Sequence, residues 1–326
     1  MQEIERIQTK DQTIQLLNTA LEHEWAVSFE YIIHAYSMPK AKLFYTDPIL
    51  KTTMDARAQT IQIGIDEMYH SLQLGIIIKQ LGGKPSFKTD ELFRFPKVID
   101  NFYRDKKTED LVTQLYQTAE FEDGAFPKIQ NMILNISYDE VRHAEQFTAM
   151  IDAIIEKGNE DTLCFSSNPD ASNREDIQTL HQIMRLENEL LHRYLKYVID
   201  FSEHQDLCQR LYKNSVNHMR HWDKNAGILI KLGDVIQIEN AEKDANGVEK
   251  SSNPMPSFYP GENRISALET LIPTENDLIL LYEKLIPMIS AADITDQLNL
   301  HLALKREHLF TQEWLLKNAK KIKGLI

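Results

Sequence analysis

IQIGIDEMYHSLQLGIIIKQLG, residues Ile61–Gly82, lies in a proline-free run from Ala56 to Gly83. Ile61, Ile65, Met68, Leu72 and Ile76 recur at helical spacing, so the run predicts one long amphipathic helix ending at Gly82-Gly83. Residues three apart share a helix face, which sets Glu67 and His70 together on or beside the apolar stripe. A carboxylate and an imidazole on a buried face cost free energy unless a charge sits between them, and the natural occupant is a metal ion. A lone ExxH also reads as a solvated pair or a satisfied core histidine. The pattern returns, however, in Tyr138-Asp139-Glu140-Val141-Arg142-His143, again after an Asp and before an apolar stripe of Phe147, Met150, Ile151 and Ile154. Two ExxH helices, with a glutamate from each of two further helices, make the di-metal carboxylate constellation built into four-helix bundles.

The composition fits that reading. The chain has 326 residues, enough for two domains, with 42% hydrophobic and 26% charged residues. Gly and Pro are sparse and few segments alternate apolar with polar, which predicts an all-α protein. A net charge of −13 argues against a nucleic-acid partner, which needs clustered Lys and Arg. The one dense basic cluster, Lys317, Lys320, Lys321 and Lys323, suits a helix end. Cys164 and Cys208 form no motif, no basic-then-apolar leader opens the chain, and no apolar run approaches the ~18 residues of a membrane span. The expectation is a cytoplasmic protein with no membrane partner.

Along the chain, Asp11 is read as the N-cap of a first helix from about Thr13 to Tyr36, and the second is the one quoted above. Residues 82–107, punctuated by Pro85 and Pro96, are read as a long crossover; Thr108-Glu109-Asp110 then opens a third helix, and a turn at Gly124 and Pro127 leads into a fourth ending near Gly158. Residues 159–175 are polar and turn-rich, a linker between a first bundle (1–158) and a second, divergent one (176–326). The second half repeats the layout: a pair of long helices, a polar crossover over Val235–Asn263, a third helix beginning near Thr274-Glu275 and a fourth carrying LNLHLALKREHLFTQEWLL. Glu109 and Tyr116 are seven apart, as are Glu275 and Tyr282. The expected fold is all-α, two tandem four-helix bundles with a long crossover between helices 2 and 3 of each.

Ligands to one metal pair must lie at one height, and a rise of about 1.5 Å per residue sorts the candidates. Glu140 sits roughly 20 Å beyond the Pro127 turn; on the antiparallel third helix Glu120 and Glu122 are too near that turn, and Glu109 is at the right level. Placed in the predicted first turn, Glu109 is also read as a dipole-favoured capping residue. On the first helix Glu24 matches the height of Glu67 better than Glu22, with Glu30 two turns further. Tyr31, Tyr69, Tyr116 and Tyr138 come close enough for hydrogen bonding or redox roles, or serve as aromatic core filler.

These residues resemble the ferritin-like superfamily of diiron proteins. The match is carried by Glu24-Trp25-Ala26-Val27-Ser28-Phe29-Glu30-Tyr31 with His34-Ala35, by Glu67-Met68-Tyr69-His70, and by Asp139-Glu140-Val141-Arg142-His143-Ala144-Glu145. The resemblance implies that Glu24 and Glu109 are terminal ligands, Glu67 and Glu140 bridging carboxylates, and His70 and His143 terminal imidazoles. It spans the first ~157 residues well and the second half in outline only. There the Glu67 position appears as His218, and the Glu140 position falls at or near Lys305. Glu187, His218, His221, Glu275 and His308 then either hold one metal or belong to a degenerate repeat that serves as scaffold.

Four carboxylates with two imidazoles neutralise two divalent cations and suit iron, or alternatively manganese, more than zinc. Two iron ions would react with O2 or peroxide. The first functional expectation is an oxidase or oxygenase acting on a small-molecule organic substrate, with the aromatic crossovers (Phe87, Phe93, Phe95, Phe102 and Tyr103; Phe258 and Tyr259) read as a lid or as ordinary packing. The alternatives are a ferroxidase or peroxide scavenger and a metal-stabilised scaffold. An electron-donor protein and a homodimeric partner stay open.

Overall fold

The computed structural model describes residues 6–122, 126–252, 263–318 and 321; Gly124, Phe258, Tyr259, Lys320 and Lys323 lie outside them. Helices dominate. The chain divides into two compact units, Met1–Phe165 with Ile238–Pro254, and Ser166–Gln237 with Met255–Ile326. The division is not the sequential one at residues 158 and 176, because a piece of the second crossover packs with the first unit.

In the first unit, α1 (Lys10–Ser37) packs along α2 (Ala56–Gln80) and α3 (Val98–Gln117) along α4 (Pro127–Glu156), with lesser contacts between α1 and α3 and between α2 and α4. Thr9, not Asp11, caps α1. Its hydroxyl accepts from the Gln12 amide while the Gln12 side chain accepts from the Thr9 N–H, a reciprocal pair that satisfies two end donors. Asp55 caps α2, which gives way at Gly82, whose φ of +71° only glycine adopts without strain. Gly64 serves a different purpose. A Cβ there would stand 3.0 Å from Ile32 and 3.1 Å from the Ser28 carbonyl, so its bare backbone is what lets α2 lie close to α1 one turn before Glu67.

The third helix begins ten residues before the expected start. Pro96 ends the loop, and Val98, Ile99, Phe102, Asp105 and Glu109 share the buried face of one helix. The polar run Arg104-Asp105-Lys106-Lys107 hid that face. Glu109 is therefore mid-helix, and the capping reading is withdrawn. The second unit shows the same shift. There α5 (Pro169–Ser172), within the expected linker, precedes α6 (Glu175–Asp200), α7 (Gln205–Lys231), α8 (Arg264–Leu285) and α9 (Ala292–Lys317). Helix α8 starts about ten residues before Thr274 because Pro273 lies inside it rather than at its edge. Helix α6 packs on α7 and α8 on α9, with α6–α8 and α7–α9 contacts closing the set.

The structure is mostly helical, as the all-α expectation has it, with a few short strands in the connections. β1 (Phe44–Thr46) and β2 (Thr53–Asp55) form a hairpin, and β3 (Leu92–Arg94) pairs antiparallel with β5 (Glu249–Ser251), which also pairs with β4 (Glu242–Lys243). Strand β3 hangs on α1. Glu30 accepts the Phe93 N–H at 2.8 Å, and His34 Nε2 donates to the Phe93 carbonyl at 2.7 Å. Of the aromatics weighed as a lid or as packing, Phe87 stands edge-on to Trp25, Phe93 stacks on Phe95 and Phe102 is core, whereas Tyr103 is exposed.

Candidate metal centre

One buried face from each of the four first-unit helices converges on a common level. Helix α1 contributes Glu24, α2 Glu67 and His70, α3 Glu109, and α4 Glu140 and His143; all six are buried. Donor atoms of Glu24, Glu67, His70 and Glu140 lie within 4.8 Å of one another, and so do those of Glu67, Glu109, Glu140 and His143. Glu67 and Glu140 belong to both sets, and their oxygens are divided between them. His70 Nδ1 is 2.9 Å from Glu67 Oε2, 3.1 Å from Glu140 Oε1 and 3.6 Å from Glu24. His143 Nδ1 is 2.7 Å from Glu67 Oε1, 3.6 Å from Glu140 Oε2 and 3.8 Å from Glu109.

Both imidazoles turn Nδ1 inward because an aspartate stands at each Nε2. Asp139 is 3.4 Å from His70 Nε2, and Asp66 is 3.5 Å from His143 Nε2. Each aspartate immediately precedes the shared glutamate of its helix and faces the histidine of the other. At His70 the Asp139 carboxylate can only accept, so it keeps the ring proton on Nε2 and leaves the Nδ1 lone pair for a cation; at His143 the Arg142 guanidinium, 3.2 Å from Nε2, stands there beside Asp66. Arg142 joins the two aspartates, at 3.3 Å from Asp66 and 3.0 Å from Asp139. The aspartates have a role that the spacing of ExxH alone does not show; the repeated Asp-Glu-x-x-His is their signal in the sequence.

The donor set fits a pair of cations. One or both carboxylate oxygens of Glu24, Glu67, Glu109 and Glu140, together with His143 Nδ1, are buried with no hydrogen-bond partner. Unpartnered buried carboxylates are costly, and a bound cation answers all of them at once. The field within the cluster shows in its proton affinities. Burial and the charge of Glu109 raise the Glu67 carboxyl to about 7, and burial with Glu67 raises Glu140 well above the carboxylate range. Burial opposes charge on His70 and His143, yet Glu67 and its neighbours push both well above the usual imidazole value. Burial would also raise Glu24, but His70 beside it holds it at about 2.

The tyrosines divide. Tyr116 donates its hydroxyl to Glu24, and Tyr31 is buried on the Glu109 side. Tyr69 and Tyr138 are 53% and 72% exposed, since each lies two residues from its glutamate and so points away from the shared face. They are neither core nor site. Glu22 is half-buried and accepts a hydrogen bond from Ser86. Beyond Tyr116, a cleft of about 330 Å³ runs between the end of α3 and the start of α4, lined by Phe121, Ile133 and Leu134 with Arg6, Gln117 and Gln130.

Glu30, His34 and Asp105 also lie close enough to share an ion, but other groups already hold them. Arg104 Nε donates to Glu30 at 2.9 Å, and His34 spans Asp105 Oδ1 (2.7 Å) and the Phe93 carbonyl. Burial would lower the His34 imidazole, but Asp105 raises it, and burial lifts Asp105 to about 6. This network fixes β3 to α1. Removing one member of a buried pair strands the other, so His34→Ala is expected to lower stability by about 3–5 kcal/mol, read by urea denaturation of the first unit. A loss below ~1 kcal/mol would remove the clamp assignment.

In the second unit Glu187, His218, His221, Glu275 and His308 are all buried, and His218, Glu275 and His308 lie within common reach of one ion. Lys305 is buried among them, with Nζ 2.6 Å from Glu187 and 2.8 Å from His218 Nδ1. Among the described residues, no helix is long and apolar enough to cross a membrane. Comparison with family models, with curated proteins and with solved structures returns no match for this chain.

Proposed function

We propose that the first unit is a ferritin-like di-iron centre and that the chain is an oxidoreductase using O2 to oxidise a small organic substrate. The observation that carries the reading is the pair of overlapping donor sets with Glu67 and Glu140 common to both. Glu67 and Glu140 would each serve both ions, and the four carboxylates would balance two divalent charges. Iron suits this oxygen-rich set with one imidazole on each side, and manganese is the alternative. When bound, two ferrous ions supply the electrons and the open positions that O2 needs.

The chain's own groups do the rest. Asp66 and Asp139 orient the imidazoles. Tyr116 steadies Glu24 by donating its hydroxyl to it, and stands between that carboxylate and the cleft. The cleft has an apolar wall of Phe121, Ile133 and Leu134 and a polar rim of Gln117, Gln130 and the Arg6–Glu120 ion pair, which favours a small amphipathic molecule over a polymer.

The test is a single turnover. Protein loaded anaerobically with Fe(II) is exposed to O2 in the presence of small aromatic and aliphatic acids, amines and alcohols. Expected is one organic product, detected by mass spectrometry in proportion to the O2 consumed, and its loss in Tyr116→Phe or Leu134→Trp would place the reaction beside the cleft. O2 uptake that yields only a ferric mineral co-eluting with the protein would replace this reading with iron handling.

A further inference from the structure

The two units balance the charge of their buried acids in different ways. Residues of equivalent position can be paired by their spacing within each helix: Glu24 with Glu187, Glu67 with His218, His70 with His221, Glu109 with Glu275, Glu140 with Lys305, and His143 with His308. In the first unit these positions leave carboxylate oxygens on all four glutamates without a hydrogen-bond partner. In the second, Glu187 Oε2 receives Lys305 Nζ at 2.6 Å and lies 2.6 Å from His218 Nδ1, while Glu187 Oε1 accepts from Tyr282 at 2.6 Å. Glu275 Oε1 accepts from Tyr194 at 2.8 Å and from His218 Nε2 at 3.0 Å. Of the four oxygens on these two acids, Glu275 Oε2 alone has no partner.

We propose that the Lys305 ammonium is the resident cation of the second unit, so that its Glu187–His218–Glu275–His308 centre is a latent metal site kept closed by a side chain of the protein itself. Substituting Lys305 by an acid would open it to one divalent first-row cation.

Three observations carry this. The first is placement: Lys305 is fully buried, sits where the first unit has the shared Glu140, and reaches the heart of the cluster. A divalent ion there would sit against an ammonium, and the like charges would repel at a few ångströms in a dry interior. The second is the count of charges. The Lys305 ammonium offsets one of the two carboxylates and the His218 ring lies between both of them, so far less negative charge is left for a multivalent ion than among the four glutamates of the first unit.

The third is the outer layer. The position of Asp66 is taken by Asn217, whose Nδ2 lies 3.1 Å from His308 Nε2. An amide can donate as well as accept, and so does not keep the proton on Nε2 as an aspartate does. The position of Asp139 is taken by Leu304. The tyrosines follow the same trend. Gln312 donates to Tyr194 at 3.0 Å and Asn225 to Tyr282 at 2.8 Å, pinning both hydroxyls, whereas the equivalent positions beside Tyr31 and Tyr116 are Phe147 and Leu74. The second centre is closed by its own hydrogen bonds. Yet His308 Nδ1 and Glu275 Oε2 make no hydrogen bond, and His218, Glu275 and His308 lie within common reach of one ion once the ammonium is gone.

The experiment is equilibrium dialysis against Co²⁺, with bound metal counted per chain and the visible spectrum recorded. Changes are read against the wild-type chain, so the outcome does not depend on what the first unit binds. His308→Ala and Glu275→Gln are expected to bind as much Co²⁺ as wild type; loss of one equivalent in either would overturn the proposal. Lys305→Glu is expected to gain one equivalent, and the gain should vanish in Lys305→Glu/His308→Ala. A folded Lys305→Glu chain that gains none would also overturn it. Should Lys305→Glu fold only when Co²⁺ is added, the dependence itself supports the latent site, and failure to fold with the metal present counts against it.

Discussion

Glu67→Gln or Glu140→Gln should empty the first unit of both ions, whereas Glu24→Gln or Glu109→Gln should cost only one. The difference follows from which donor set each residue enters: Glu67 and Glu140 are in both, Glu24 only in the set with His70, and Glu109 only in the set with His143. An amide matches the carboxylate in shape but carries no charge, so the shared positions lose a negative ligand to both cations at once. Metal per chain, measured after dialysis against a weak chelator, should fall from about two to none for the shared pair and to about one for the others, given the charge balance of the site. A graded companion comes from one of the aspartates. Asp139→Asn leaves all six donors in place but releases the ring proton that Asp139 holds on His70 Nε2, and should weaken affinity by about 10–100-fold, chiefly at the His70 ion. If all four glutamate variants lost the same amount of metal, the shared-carboxylate arrangement would be wrong.

The two ExxH pairs were legible in the sequence because helical spacing alone puts residues three apart on one face, and the apolar stripes around them showed which face is buried. Glu24 and Glu109 were chosen by height along a helix, which needs only the rise per residue and the position of a turn. The boundaries of α3 and α8 were not legible. Polar runs and Pro273 looked like loop, and it took the packing of Val98, Phe102 and Leu271 to show helix there. That misplacement is also why Glu109 was weighed as a cap. The strand pairing of β3 with β5 joins residues about 155 positions apart, and three-residue strands carry too little pattern to betray it. The Glu30–His34–Asp105 network escaped for a related reason: its partners Asp105, Arg104 and the Phe93 backbone lie about 60–75 positions away on α3 and β3, where no local spacing links them to α1.

Stripping the metal should lower the melting temperature of the first unit by about 15–30 °C. Each ion present at ~1,000 times its Kd contributes about 4 kcal/mol to the folded state, two contribute about 8, and a unit of this size shifts by about 2–4 °C per kcal/mol. The size of the gap should depend on pH, and its sign can be worked out group by group. Glu67, raised to about 7, and Glu140, raised further, bind protons in the folded stripped protein that the unfolded chain has released above its usual carboxylate range. Their contribution is whole below about pH 4.5 and is lost as pH rises through about 7 and beyond. His70 and His143, raised above the imidazole range, act in the same direction from about pH 6.5 upward. Glu24 acts oppositely, but only below about pH 4.5, as pH falls toward 2. The stripped unit should therefore weaken steadily between pH 5 and 8. Loaded protein should not, because cations take the places of those protons and bind more tightly as pH rises. Calorimetric melts of loaded and stripped protein at pH 6 and pH 8 should show the wider gap at pH 8, with protons released on loading. An equal gap at both values would mean that the acids of this cluster do not exchange protons for metal.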